Sequence, residues 1–295
     1  MVGGDATTEG AGVAKRSSKA KRRDPNRRLI APRNPAAFRP ELGKDRLPAE
    51  QQLVDGWRIS PHARIRLARS ADIEAIAQLG KLAGAEDLEE EIADGLRRGV
   101  IAAALCAGLH GGREPFTQHI AQVGAEIGRS GADPTEMLLH ATLVLVAEHS
   151  DAGVVGALIA YPPLRVIADL LDTVGKGNPK AQQAVLLSGA TMISRIHILA
   201  VAEPWRRHRV GAALLDACHR IYAHCGYVIT YGQMPPTRGL DVFYRRCGFT
   251  LLEPGEGFDA WIVFGIHTKI HPQPDERVFL KSKVPVDGLE GANEF

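Results

Sequence analysis

The chain has little of several things, and each scarcity excludes a class of protein. Of its 295 residues only 4 are cysteine, namely Cys106, Cys218, Cys225 and Cys247. They form no Cys-x-x-Cys pair and no His–Cys spacing of a zinc site, so no metal is expected. Reduced thiols fit a cytoplasmic protein. The net charge is only +2, too small to argue for nucleic acid on its own. The apolar runs Leu143 to Ala147 and Val154 to Ala160 are split by Glu148-His149-Ser150-Asp151, and neither is long enough to span a bilayer. The loop Gly175-Lys176-Gly177-Asn178-Pro179 lacks the full Walker pattern for nucleotide phosphates. No apolar run follows the basic residues near the start, so no secretory leader is expected.

What is present is the balance of a soluble globular protein, 45% hydrophobic and 24% charged. Residues 1–60 are rich in Gly, Ala, Ser, Pro, Lys and Arg without periodicity, and read as a disordered basic tail. Within it Lys15, Arg16, Lys19, Lys21, Arg22, Arg23, Arg27 and Arg28 face Asp24 alone. The cluster has the charge to touch RNA, DNA or an acidic partner. It lacks the interleaved aromatics on which bases stack, and a solubilising tail is the plainer reading. Residues 285–295 read as a frayed tail.

Between the tails, residues 63–284 alternate strand and helix signals. Ala63 to Ala68 alternates polar and apolar residues as a half-buried strand does. Ser70 as N-cap, with Asp72 and Glu74 in the first turn, opens a helix. Helices are expected over Asp87 to Leu109 and Thr117 to Ser130, divided by Gly111-Gly112, and Asp133-Pro134 opens a third. Thr142 to Tyr161 is a hairpin, with Glu148 and His149 expected as solvated residues at its tip. Leu164 to Val174 and Ala181 to Leu187 are helical. Tyr227 to Tyr231 is a strand reached by a helical crossover, hence parallel to the strand before it. Leu240 to Cys247 is a short helix ended by Gly248. Phe258 to Ile266 and Arg277 to Val284 are expected as closing strands.

The chain is organised around Ser194 to Asp216. Arg195 to Val201 is a β-branched, apolar strand with one histidine. Glu203-Pro204 breaks it. Arg206-Arg207-His208-Arg209-Val210-Gly211 is a loop dense in donors, and Ala212-Ala213-Leu214-Leu215 opens a helix. A strand ending in a turn that starts a helix aims several backbone N–H groups at one spot, and the helix adds partial positive charge there. That suits a phosphate or pyrophosphate.

These residues resemble the cofactor-binding motif of the GNAT superfamily of N-acetyltransferases, Arg/Gln-x-x-Gly-x-Gly/Ala after a strand. Arg206 takes its first position, Arg209 replaces its first glycine, and Gly211 keeps the second. A second match follows in the expected order: Tyr244, Gly248 and Phe249 fit the family's Tyr-x-x-x-Gly-Phe segment. The resemblance covers Ala63 to about Val284. It implies an α+β GNAT fold: a mixed, mostly antiparallel sheet of about seven strands with a splayed parallel pair, flanked by helices, with helical insertions at about 83–140 and 164–190. It implies acetyl transfer from acetyl-CoA to a small-molecule or protein amine. The backbone of Leu199, Ala200 and Val201 would contact pantetheine and the acetyl carbonyl. Arg206, Arg207, His208, Arg209, Val210, Gly211 and the N–H of Ala212 would bind the pyrophosphate. An arginine at 209 fits such a loop if its φ is negative. Tyr244 matches the family's general acid, and Thr237 falls near an asparagine that bonds pantetheine.

Many members place a glutamate on the strand, where this chain has Arg195. Alternation puts Arg195, His197 and Leu199 on one face, which makes His197 either the general base or a histidine satisfied within the sheet. Arg195 either binds an acidic acceptor or pairs with Glu253 or Asp259. With neither acting, water takes the proton. Two further readings stand: a non-catalytic CoA-binding regulatory module, motivated by the lost glycine and missing carboxylate, and a toxin-type acetyltransferase acting on aminoacyl-tRNA. The helical insertions read as packing segments, a substrate lid, or an oligomer contact such as that of a homodimer.

Overall fold

The computed structural model describes residues 50–84, 88–175 and 177–285. The basic cluster between Lys15 and Arg28 and residues 286–295 lie outside them. Within them the fold begins ahead of Ala63, with α1 (Glu50–Asp55) and β1 (Trp57–Ser60). Leu53 and Ile59 are fully buried, and the Arg64 guanidinium donates to the Asp55 carbonyl at 3.0 Å. Two elements this short carry too few apolar positions to show a period.

The strands that follow are β2 (Ala63–Leu67), β3 (Leu143–His149), β4 (Gly153–Tyr161), β5 (Ile193–Val201), β6 (Ile229–Met234), β7 (Thr250–Leu251), β8 (Phe258–Asp259), β9 (Lys269–Ile270) and β10 (Arg277–Ser282). Eight of the ten form one sheet in the order β1-β2-β3-β4-β5-β6-β10-β7, and β8 pairs with β9 apart from it. Every neighbouring pair in the large sheet is antiparallel except β5–β6. This is the mixed, mostly antiparallel sheet with one parallel pair that the resemblance implies, with eight strands in place of about seven.

The helices are α2 (Ile73–Leu82), α3 (Glu90–Arg98), α4 (Ala103–Gly111), α5 (Arg113–Ser130), α6 (Glu136–His140), α7 (Leu164–Val174), α8 (Pro179–Met192), α9 (Val210–His224), α10 (Arg238–Arg246) and α11 (Trp261–Phe264). None among the described residues is long and apolar enough to cross a membrane. α9 is the parallel crossover. It buries Val210, Ala213, Leu214, Ala217, Cys218 and Ile221, the i, i+3, i+4 stripe of a helix lying on a sheet. It packs closely on β4: a Cβ at Gly156 would lie 3.0 Å from Val210 and 3.3 Å from Leu214. Ile196, Ile198 and Ala200 of β5 belong to this core, while Ile193, Tyr231, Phe258, Val263 and Leu280 build a second one.

Several local expectations give way. The helix expected over Asp87 to Leu109 is two, α3 and α4, because Gly99 ends α3 in the left-handed region at φ 72°. Ser70 does not cap α2. Instead the Asp72 carboxylate accepts the Arg69 N–H at 2.7 Å and holds Arg66 in two bonds of 2.6 and 2.9 Å. Phe258 to Ile266 is not one strand, since Asp259 accepts the Trp261 N–H at 2.9 Å and starts α11. Nor are Glu148 and His149 solvated turn residues, although Ser150 and Asp151 at the tip are exposed. Glu148 accepts from Arg64 at 2.7 Å and from Arg66 at 3.0 Å, and His149 is 9% exposed with its ring 4.5 Å from that of Trp205.

Candidate active site

The site begins where the one parallel pair stops. β5 and β6 pair over four rungs, from Ile193 opposite Ile229 to Ile196 opposite Gly232. Beyond that rung each strand keeps its outer neighbour. β5 stays on β4 from Ile198 through Val201, and β6 stays on β10 through Met234. A local cause is visible on the β4 side, where Ala160 faces Ile196 and Ile159 faces Ile198, leaving His197 as an extra, bulged residue. A bulge bends its strand and sharpens the twist. From His197 to Val201 the edge toward β6 therefore carries no ladder partner among the described residues. His197 is exposed as a residue although its side chain is only 28% exposed, so main chain makes up part of the open surface. An extended ligand bearing amides can pair with such an edge as an added strand does.

Just past this edge the chain turns through Glu203–Trp205 into the basic loop. Arg206 folds back and donates to the Val201 carbonyl at 3.1 Å. Arg207 and Arg209 both take left-handed backbone, at φ 64° and 65°. This corrects the expectation of a negative φ at 209. The loop keeps the glycine conformation without the glycine, because Arg209 must turn the chain into α9 as its N-cap. Holding an L-residue there costs about 1–2 kcal/mol. The first helical bond runs from Ala213 N–H to the Arg209 carbonyl at 2.9 Å, and no side chain caps this end. The N–H groups of Val210, Gly211 and Ala212 thus precede the first helical bond, at the positive end of a 15-residue helix. The side chains of Arg206, Arg207 and Arg209 are exposed around them, with His208 half-buried. A cleft of about 280 Å³ continues along α9, lined by Arg209, Asp216, His219, Arg246 and Lys281. Burial pushes His219 down to about 4.

On the other face of β5 stands a polar cluster. Arg195, His197, Leu199 and Val201 alternate with the buried Ile196, Ile198 and Ala200, as predicted. The His197 ring lies 5.2 Å from that of Tyr161. The Tyr161 hydroxyl donates to Glu89 at 2.9 Å, and the same carboxylate oxygen lies 3.8 Å from His197 Nε2. Burial lowers the His197 pKa below the ordinary 6.5, Glu89 acts against that, and Arg195 adds to it. Arg195 forms neither of the two ion pairs expected of it. Glu253 goes to Arg277 at 3.4 Å and Asp259 to His267 at 2.6 Å. Arg195 bonds instead to the neutral Gln233 at 3.3 Å. Glu89 is absent from the sequence-derived site. It sits between α2 and α3 at the head of Glu89-Glu90-Glu91, where an acidic first turn is explained by the helix dipole alone.

Tyr244 lies behind Phe279 on the opposite face of the sheet. It is 7% exposed and stacks on Phe279, ring centroids 3.8 Å apart and 19° from parallel. Phe279 in turn lies across Gly232: a Cβ there would collide with its ring and stand 2.9 Å from the Ile196 carbonyl. Tyr244 is thus one ring removed from the last parallel rung. Burial raises its pKa well above the ordinary 10, and Cys247 adds to this. Thr237 is exposed at the N-cap position of α10. Among the described residues no group of three or more His, Cys, Asp or Glu is placed to hold a metal.

No protein-family model and no curated protein matches the chain. Among solved structures it is similar to Ard1 from Thermoplasma volcanium, at 14% identity and a TM-score of 0.38 over 76% of this chain and 99% of that one. It is also similar to Arabidopsis thaliana Naa50 in complex with the bisubstrate analogue CoA-Ac-MVNAL, at 12% identity and a TM-score of 0.39 over 75% and 99%. A third is the PaiA N-acetyltransferase from Thermoplasma acidophilum in complex with coenzyme A, at 13% identity and a TM-score of 0.35 over 75% and 98%. At TM-scores this low the fold rests on the chain's own strand order and the function on its own residues.

Proposed function

We propose that this chain is an acetyl-CoA-dependent N-acetyltransferase of the GNAT type, passing the acetyl group to an amine by direct attack. The observation that carries the proposal is the parting of β5 and β6 after Ile196 opposite Gly232, directly before the uncapped start of α9 and its three arginines. An unpaired strand edge followed by an anion site suits a ligand with an amide-bearing arm and a pyrophosphate. The backbone of Leu199, Ala200 and Val201 holds the arm. Arg206, Arg207, His208, Arg209 and the N–H groups of Val210, Gly211 and Ala212 hold the pyrophosphate.

Acetyl-CoA supplies an acyl group on a thiol leaving group. The chain must deprotonate the incoming amine and protonate the outgoing sulfur. His197 is held neutral by burial, and takes the amine proton as the N–C bond forms. Glu89 then stabilises the imidazolium. Tyr244 gives its proton to the thiolate as the C–S bond breaks, against the burial that raises its pKa. The two groups serve opposite ends of the exchange from opposite faces of the sheet.

The deep stacking of Tyr244 and the left-handed Arg209 favour a second reading, a module that binds CoA without turnover. Free-thiol release from acetyl-CoA with a panel of amines separates the two. Turnover that falls about 100-fold or more in Tyr244→Phe supports the enzyme. Binding with no turnover on any amine supports the module and sinks the transferase.

A further inference from the structure

We infer that the acceptor is a free amino acid, its amine held between Glu89 and His197 and its carboxylate held by Arg195. The inference deepens the acetyl-transfer reading and rests on it. It starts from a charge left without a counter-charge among the described residues. Arg195 is flanked in the sheet by Tyr161 of β4 and Tyr231 of β6. Its Nε is buried with no hydrogen-bond partner among the described residues, and its bond to Gln233 at 3.3 Å is to a neutral group. Gln233 itself donates to the His271 carbonyl at 3.3 Å.

The contrast with neighbouring arginines is specific. Arg66 receives Asp72 and Glu148, and Arg277 receives Asp241 and Glu253. Among the described residues no carboxylate comes within ion-pair distance of Arg195. A guanidinium taken partly out of water without an anion is costly to keep. Its planar fork matches a carboxylate.

The rest of the cluster has the opposite character and the right spacing. His197 follows two residues along the same face, its Cα about 7 Å from that of Arg195 by strand geometry, and stands beside the Glu89 carboxylate and the Tyr161 hydroxyl. A molecule whose amine and carboxylate are one or two carbons apart spans that distance with a hydrogen bond of about 2.8 Å at each end. A protein lysine, a peptide N-terminus or a polyamine brings no carboxylate to that point and would leave Arg195 desolvated and unpaired. An aminoacyl ester, the chemistry of charged transfer RNA, has its carboxyl masked and fails in the same way.

The test is steady-state acetylation by the full chain of each common amino acid, compared with its amide, its methyl ester and the amine lacking the carboxyl. The best amino acid is expected to exceed its three analogues in kcat/KM by about 10- to 100-fold, the worth of a hydrogen-bonded charge pair. In Arg195→Gln that ratio is expected to fall toward 1, and in Arg195→Lys to lie between, with melting temperature recorded for each variant. Equal or better turnover of amide, ester or amine by the wild type overturns the inference and leaves acetyl transfer standing. Acetyl-CoA binding with no acceptor turned over overturns both. A ratio unchanged in a folded Arg195→Gln shows that another group reads the carboxylate and overturns the role of Arg195.

Discussion

The Tyr161 hydroxyl donates to Glu89 at 2.9 Å, and this one bond ties the connection between α2 and α3 to the end of β4. It sets a carboxylate beside the bulged His197. That placement gives the pH behaviour a sign. His197 titrates below the ordinary 6.5 because burial disfavours its charged form, with Arg195 acting the same way and Glu89 opposing. A base must be neutral to act, so kcat/KM should be level above about pH 6.5 and fall only in more acid solution. Glu89→Gln removes the charge that raises His197, so the acid limb should move to lower pH. His197→Gln should abolish the limb and lower kcat about 100-fold. A pH–rate profile of the three proteins decides it, and a limb unchanged in His197→Gln would exclude that residue.

Tyr244 is judged by separating packing from proton donation. Phenylalanine keeps the ring stacked on Phe279, so Tyr244→Phe should fold with a melting temperature close to wild type and bind acetyl-CoA with unchanged affinity. Turnover alone should drop. A variant that loses stability and turnover together, in thermal melts and kinetics run side by side, would make Tyr244 a packing residue.

The left-handed Arg209 can be dissected with two variants. Arg209→Ala keeps a Cβ in the φ 65° conformation and removes the guanidinium. Arg209→Gly removes both. Glycine should be the more stable of the two by about 1 kcal/mol, net of its larger unfolded-state entropy. Equal stabilities by denaturant unfolding would mean the loop relaxes when the side chain is lost.

The buried arginine of β2 makes a prediction about acid. Arg66 is 3% exposed and bonds Asp72 and Glu148. Removing a partner strands its charge, so Asp72→Ala should cost about 3 kcal/mol. The Glu148 carboxyl is held below the ordinary 4.5, chiefly by its bond from Arg66 and also by Arg64, against burial. A depressed carboxyl pKa contributes stability that is present above the unfolded value and lost as pH falls through the folded one. Glu148→Gln should therefore flatten the loss of stability below about pH 4.5. Parallel pH–stability curves with the same slope would contradict it.

The parts legible in the sequence were those that repeat or are locally constrained. The β-branched run of β5, the basic loop, the α9 stripe and the Tyr244 segment declare themselves within a few residues. The alternation of Arg195, His197 and Leu199 was readable because a strand has a period of two. What stayed hidden depends on distant partners. Glu89 acquires meaning only through Tyr161, 72 positions away. Glu148 and His149 looked like turn residues because nothing local announces Arg66 or Trp205. Asp259 turned an apolar run into the start of α11 through one bond to Trp261, and a single aspartate outweighs hydrophobic pattern only where the backbone offers it an N–H.

The central claim is that an acyl carrier lies along the open edge of β5 with its phosphates at the start of α9. Calorimetric titration of acetyl-CoA into the full chain tests it most directly, with Arg207→Glu alongside. The account predicts one site per chain and an affinity at least about tenfold weaker in the variant. No detectable heat with the wild type, or equal affinity in the two proteins, would contradict it.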